Sequence, residues 1–117
     1  MNTVATLVQS VSDLDAATAL YRALLGTEPH TTTPYYVGFA VSDSAGNGVE
    51  IGLNPAGPDG ATAPIPYVGV EDIEAAVAAV TAAGATLKEA PHAVGGGTTI
   101  ATVTDPDGAV LGLIHRA

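Results

Sequence analysis

Few side chains in this sequence can do chemistry, and several common reaction types are closed to it. With no cysteine there is no thiol nucleophile, no thiolate metal ligand and no disulfide framework. No serine sits in a G-x-S-x-G elbow, so a hydrolytic triad lacks its nucleophile. The histidines show no metal-ligand spacing: His30 lies in a Thr-rich stretch, His92 precedes a glycine run, and His115 is out of phase with Gly112 and is expected to point outward. Gly95-Gly96-Gly97 is followed by neither a helix nor P-loop residues, so it reads as a hairpin turn, not a phosphate cradle. Carboxylates and phenols remain. A carboxylate can pair with a cation or remove a proton, and a phenol joins apolar area to a polar tip that suits a ligand wall.

The elements that must position these groups occur twice. Val41 to Leu53 (VSDSAGNGVEIGL) aligns without a gap to Val103 to His115 (VTDPDGAVLGLIH). Ser10 to Gly26 aligns to Gly69 to Gly84 in the same order. Thr3 to Val11 is β-branched and apolar and reads as a strand. Asp13 then suits a helix N-cap, Leu14, Ala17, Leu20, Tyr21, Leu24 and Leu25 recur at helical spacing, and Gly26 suits the C-terminal cap. Pro29 and Pro34 frame a short edge strand, and 35–42 with 48–53 predict a hairpin around DSAGN.

NPAGPDGATAP is the linker. Past it, Ile65 to Val70 predicts a strand, Asp72 a helix cap, Gly84 the helix end, Ala85 to Glu89 a short strand, and 98–104 with 109–115 a hairpin around DPDG. The plan is strand, helix, three strands, repeated: an α+β fold of two βαβββ modules forming a curved, mostly antiparallel sheet around a cleft, helices outside. The expected division is one domain over 1–117, with module one at 1–54, the linker at 55–64 and module two at 65–117. Strand parity turns Tyr36 and Tyr67 inward, with Val8, Ile100, Thr102 and Ile114 completing a mostly apolar lining.

A chain of 117 residues that is 47% hydrophobic can bury a core, although 4% aromatic content means small side chains fill it. Three Lys and Arg against twelve Asp and Glu, a net charge of −9, argue against nucleic acid and anionic membranes as partners. The amino-terminal stretch lacks a basic start with an apolar run, which suits a cytoplasmic protein.

V-S-D-L-D-x-A at a helix start, a glycine at its end, and V-T-D-P-D-G-x-x-L-G-L-I at the C-terminus resemble the vicinal oxygen chelate superfamily, the glyoxalase, bleomycin-resistance and extradiol-dioxygenase group. That resemblance implies metal ligands on the first and last strand of each module. Counting back seven residues from each capping Asp, and along the G-N-x-L pattern, the positions hold Thr6, Glu50, Ile65 and Gly112. These make no transition-metal site, so neither metal nor cofactor is expected. The same alignment turns Glu50 inward, as a cation partner or general base.

The expectation is therefore a metal-free small-molecule-binding protein, one version of which sequesters an organic ligand or antibiotic, with Thr6, Val8, Tyr36, Glu50, Tyr67, Ile100, Thr102 and Gly112 as the lining. A homodimer is expected from the family. The alternative is a lyase, isomerase or epimerase using Glu50 as its base, and a third class is an association module with a vestigial cleft.

Overall fold

The computed structural model describes residues 2–42, 48–57, 60 and 63–117. The DSAGN turn and part of the linker lie outside these residues. In chain order the elements are β1 (Val4–Val11), α1 (Leu14–Leu25), β2 (Thr31–Thr32), β3 (Val37–Ser42), β4 (Gly48–Pro55), β5 (Ile65–Gly69), α2 (Ile73–Ala82), β6 (Thr86–Gly95), β7 (Thr98–Thr104) and β8 (Val110–Arg116). This is the α+β, twice-repeated βαβββ plan.

The chain forms two compact units, one spanning Thr6–Pro64 and the other joining Met1–Ala5 to Ile65–Ala117. In the first, the strand order is β2-β3-β4-β1, antiparallel except that β1 runs parallel to β4. In the second, the order is β5-β8-β7-β6, with β5 parallel to β8 and antiparallel pairing elsewhere.

Both helices start and stop where the sequence signals them. The Asp13 carboxylate accepts the Ala16 N–H at 3.0 Å, and Asp72 does the same for Ala75. Each of these N-caps is worth about 1 kcal/mol. Gly26 closes α1 in the left-handed region at φ 70°, where a Cβ would be strained, and its N–H bonds the Arg22 carbonyl. DPDG turns as expected. Asp105 Oδ1 accepts from the N–H groups of Asp107 and Ala109, and Gly108 sits at φ 86°.

Period-two alternation decides which face of each sheet meets its helix. Val37, Phe39 and Leu53 are buried with Leu14, Ala17, Tyr21 and Leu25 of α1 packed against them. Burying each such side chain contributes about 1.5–3 kcal/mol. Ala101, Val103 and Leu113 form the matching core with Ile73, Ala76, Val77 and Val80 of α2. The alternate residues of these strands face away from the helices.

Two boundaries differ from the sequence expectation. Strand β3 begins at Val37, because Thr33 to Tyr36 closes a turn first. Strand β6 is not the short Ala85–Glu89 segment but runs to Gly95, passing Pro91 by register shifts between Leu87 and Glu89 and between Glu89 and His92. Pro91 is tolerated because β6 is the last strand in its unit's order, an edge where a missing N–H leaves no neighbour unbonded.

Candidate functional site

The helix-free face of the Thr6–Pro64 unit is built around Glu50. In register, Glu50 of β4 lies between Thr6 of β1 and Ala40 of β3, and the next residue on that face, Gly52, lies between Val8 and Gly38. Two glycines side by side leave a shallow trough, and aromatic rings fill it. A Cβ on Gly52 would collide with the Tyr36 ring and hydroxyl, and one on Gly38 would come within 2.9 Å of Tyr36 Cε2 and 3.1 Å of His30 Nε2.

Local hydrogen bonds fix both rings. Thr33 Oγ1 accepts the N–H groups of Tyr35 and Tyr36 and donates to the Tyr36 carbonyl, which aims Tyr36 back across the sheet. The His30 N–H bonds the Gly38 carbonyl at 2.9 Å and anchors the histidine at the start of β2.

The result is a carboxylate held on both oxygens. Tyr36 donates its hydroxyl to Glu50 Oε2. His30 Nε2 lies 2.8 Å from Glu50 Oε1, and His30 Nδ1 lies 2.7 Å from Thr31 Oγ1. A neutral His30 then carries its proton on Nε2 and accepts from Thr31, whereas an imidazolium donates to both partners. Each carboxylate oxygen keeps a lone pair for another donor. The Glu50 side chain is 22% exposed and that of His30 42%, so the group is reachable from solvent. Thr6 beside it is buried. Further along the same face Ser10 donates to Asn54 Oδ1 at 2.9 Å.

Four of the expected lining residues, Thr6, Val8, Tyr36 and Glu50, thus come together on one face. The other four lie on the helix-free face of the Ile65–Ala117 unit. Tyr67 stands opposite Gly112, Gly112 opposite Thr102, and Ile100 opposite Ile114. The Tyr67 ring covers Gly112, where a Cβ would overlap it. Burial pushes the Tyr67 phenol pKa up, and the nearby Glu89 carboxylate pushes it further the same way.

His115 shares the parity of Leu113, away from Gly112, with Nδ1 3.0 Å from the Val70 carbonyl. His92 Nδ1 lies 2.8 Å from the Ala90 carbonyl. A cavity of about 310 Å³ in this unit is lined by Thr3, Gly69, Glu71, Ile114 and Arg116 among others, and of the residues expected to line the site it includes Ile114 alone.

One position needs correcting. The β5 residue opposite Gly112 is Tyr67, not Ile65. Thr6 stands seven residues before its capping Asp, but Tyr67 stands only five before Asp72, because β1 continues past Thr6 to Val11 whereas β5 ends soon after Tyr67, at Gly69.

The donor set at the four family positions is therefore Thr6, Glu50, Tyr67 and Gly112. It holds one carboxylate, already bonded by His30 and Tyr36, and a glycine under a phenol ring. Such a set does not fit a transition-metal ion, which needs several convergent His or carboxylate ligands. Among the described residues no three His, Asp or Glu side chains converge as a metal-ligand group.

Comparison with known proteins places this geometry. The family model for the Glyoxalase/Bleomycin resistance protein/Dioxygenase superfamily matches residues 3–113. No curated protein matches. A Streptomyces coelicolor methylmalonyl-CoA epimerase variant in complex with 2-nitronate-propionyl-CoA is similar at 20% identity and a TM-score of 0.78, covering 97% of this chain and 96% of its own. The Mn(II)-bound glyoxalase from Novosphingobium aromaticivorans is 23% identical with a TM-score of 0.72, covering 98% of this chain and 40% of its own. A Legionella pneumophila structure described as an NAD-dependent benzaldehyde dehydrogenase is 16% identical with a TM-score of 0.74 over the whole of both chains. Likenesses at these identities establish the fold alone, and proteins as different as an epimerase and a glyoxalase share it, so the fold leaves the activity open.

Proposed function

Because the chain belongs to the glyoxalase, bleomycin resistance protein and dioxygenase superfamily, we propose that it binds a small organic molecule without a resident metal ion, at Glu50. The observation that carries this reading is the Glu50 carboxylate, held by His30 and Tyr36 on the face its helix leaves uncovered. A metal-ligating carboxylate would direct those lone pairs to the ion. This one is bonded by its own chain and offers what remains to a ligand N–H or O–H group. Tyr36 and Val8 supply apolar wall beside it, and the net charge of −9 favours neutral or cationic ligands over anions. Sequestration of an organic ligand or antibiotic is one form of this function.

The experiment is a thermal-shift screen of organic cations, 2-oxo acids, thiol conjugates and divalent metals, since a ligand of the native state raises the melting temperature. Stabilisation by an organic ligand in the presence of chelator supports the proposal. Stabilisation by a metal ion alone overturns it.

One observation favours a second reading, proton transfer by an isomerase, epimerase or lyase. Thr31, His30 and Glu50 form an unbroken hydrogen-bond chain. Glu50 would take a proton from carbon beside a carbonyl, and His30 would hold the carboxylate in place and balance its charge. The epimerase among the structural relatives makes a branched acyl thioester a sensible probe. Deuterium entering its α-carbon from D2O, lost in Glu50→Gln, would establish this chemistry. We further propose that two copies pair, as the family resemblance suggests. Sedimentation equilibrium tests that directly.

A further inference from the structure

The Ile65–Ala117 unit keeps a polar atom where shape alone would accept a methyl group. Thr102 is 4% exposed, and its Oγ1 has no hydrogen-bond partner among the described residues. Ala101 and Val103 on either side point into the core under α2, so Thr102 faces the other way. Valine has the same outline and would not carry the cost of a buried, unbonded hydroxyl.

The neighbours of Thr102 on this face are specific. On one side stands Gly112, roofed by the Tyr67 ring. On the other, Glu89 of β6 lies opposite Thr102 between two register shifts. The Glu89 carboxylate lies 4.0 Å from His92 Nε2 on the same strand, and its charge also reaches the Tyr67 phenol. Register thus brings a hydroxyl that can accept, a carboxylate and an aromatic ring to neighbouring positions on one face. All three favour a positively charged N–H donor: the hydroxyl and carboxylate accept from it, and the ring face attracts its charge. An anionic group would meet Glu89 instead.

We propose that this unit binds a primary organic ammonium group at Thr102 and Glu89, beneath a Tyr67 ring that swings away from Gly112. The proposal rests on the reading of the chain as a small-molecule-binding protein and names a second site for it, with the ligand's chemical class. The ring occupies the space a Gly112 side chain would take, so its departure opens that space beside Thr102.

The test is titration of benzylammonium, benzyl alcohol and benzoate into the full chain labelled with 13C at threonine methyl groups and tyrosine rings, followed by NMR. Benzylammonium is expected to shift the Thr102 methyl and Tyr67 ring resonances, and benzoate is expected to leave them in place. Thr102→Val and Glu89→Gln should each raise the benzylammonium Kd roughly three- to tenfold. Asp107→Asn, which changes charge in the DPDG turn, should not.

Thr102→Val should also melt roughly 2–6 °C higher than the parent, because it removes an unbonded hydroxyl. Binding unaltered in Thr102→Val overturns the proposal. So does a lower melting temperature in that variant, which would make the hydroxyl an anchor for a structural water. Shifts confined to Tyr36 and Thr31 would sink this second site and leave the Glu50 reading standing. The absence of shifts in both groups, with no ligand in the thermal screen, would sink both.

Discussion

Glu50, His30 and Tyr36 act as one group, and single changes should separate their contributions. Glu50→Gln keeps the shape and removes the charge. For a cationic ligand, or for proton abstraction, the expected loss is on the order of 1–3 kcal/mol in affinity or transition-state stabilisation, read from Kd or kcat/KM. Tyr67 makes a prediction that needs no ligand. Its phenol pKa stands above the ordinary 10.0 in the folded chain. The native state therefore holds that proton more tightly than the unfolded chain does, and the contribution is complete below pH 10. It is lost as pH rises from about 10 through the higher native pKa, and melts taken across that range should show Tyr67→Phe losing less stability than the parent.

Glu50 was legible in the sequence because the ungapped repeat sets it level with Gly112 and strand parity turns it from the helix. His30 was not. Its role depends on two residues of β2 pairing and on Gly38 lying beside Gly52, a cross-strand coincidence that linear spacing does not carry. Two glycines on the same face of adjacent strands were the available signal, since they leave room for rings from elsewhere.

At the scale of elements, the caps and glycines divide the work between stability and site geometry. Asp13→Ala and Asp72→Ala should each cost about 1 kcal/mol in denaturant unfolding and leave ligand binding unchanged, because each carboxylate serves only the first turn of its helix. Gly52→Ala should do the reverse. Its new methyl would drive Tyr36 off the sheet and break the hydroxyl's bond to Glu50, so binding should weaken more than stability falls. Comparing denaturation midpoints with ligand titrations checks both. The helices and the DPDG hairpin follow the sequence closely because local chemistry determines them. The length of β6 does not, since register shifts depend on the pairing strand and not on propensity.

For the whole molecule, the family is established, and among the described residues the donors at its four family positions do not fit a transition-metal ion. Elemental analysis of the purified protein is expected to find no stoichiometric Zn, Ni, Fe or Mn, and treatment with chelator should leave the melting temperature unchanged. Charge also acts at this scale. With a net −9, affinity for a cationic ligand should fall as salt is added, while a neutral ligand's affinity should stay nearly constant.

The partition of the chain has a consequence for the order in which it is made. The Thr6–Pro64 unit is continuous, so all of it has been synthesised before the last fifty residues are added. The other unit needs both ends of the chain. Gly69 donates its N–H to the Thr3 carbonyl at 2.8 Å, a bond that must wait for residue 69. Pairings so distant in sequence form slowly. During translation residues 2–5 should remain open to protease while the segment behind them is already protected, and they should gain protection only when β8 is complete.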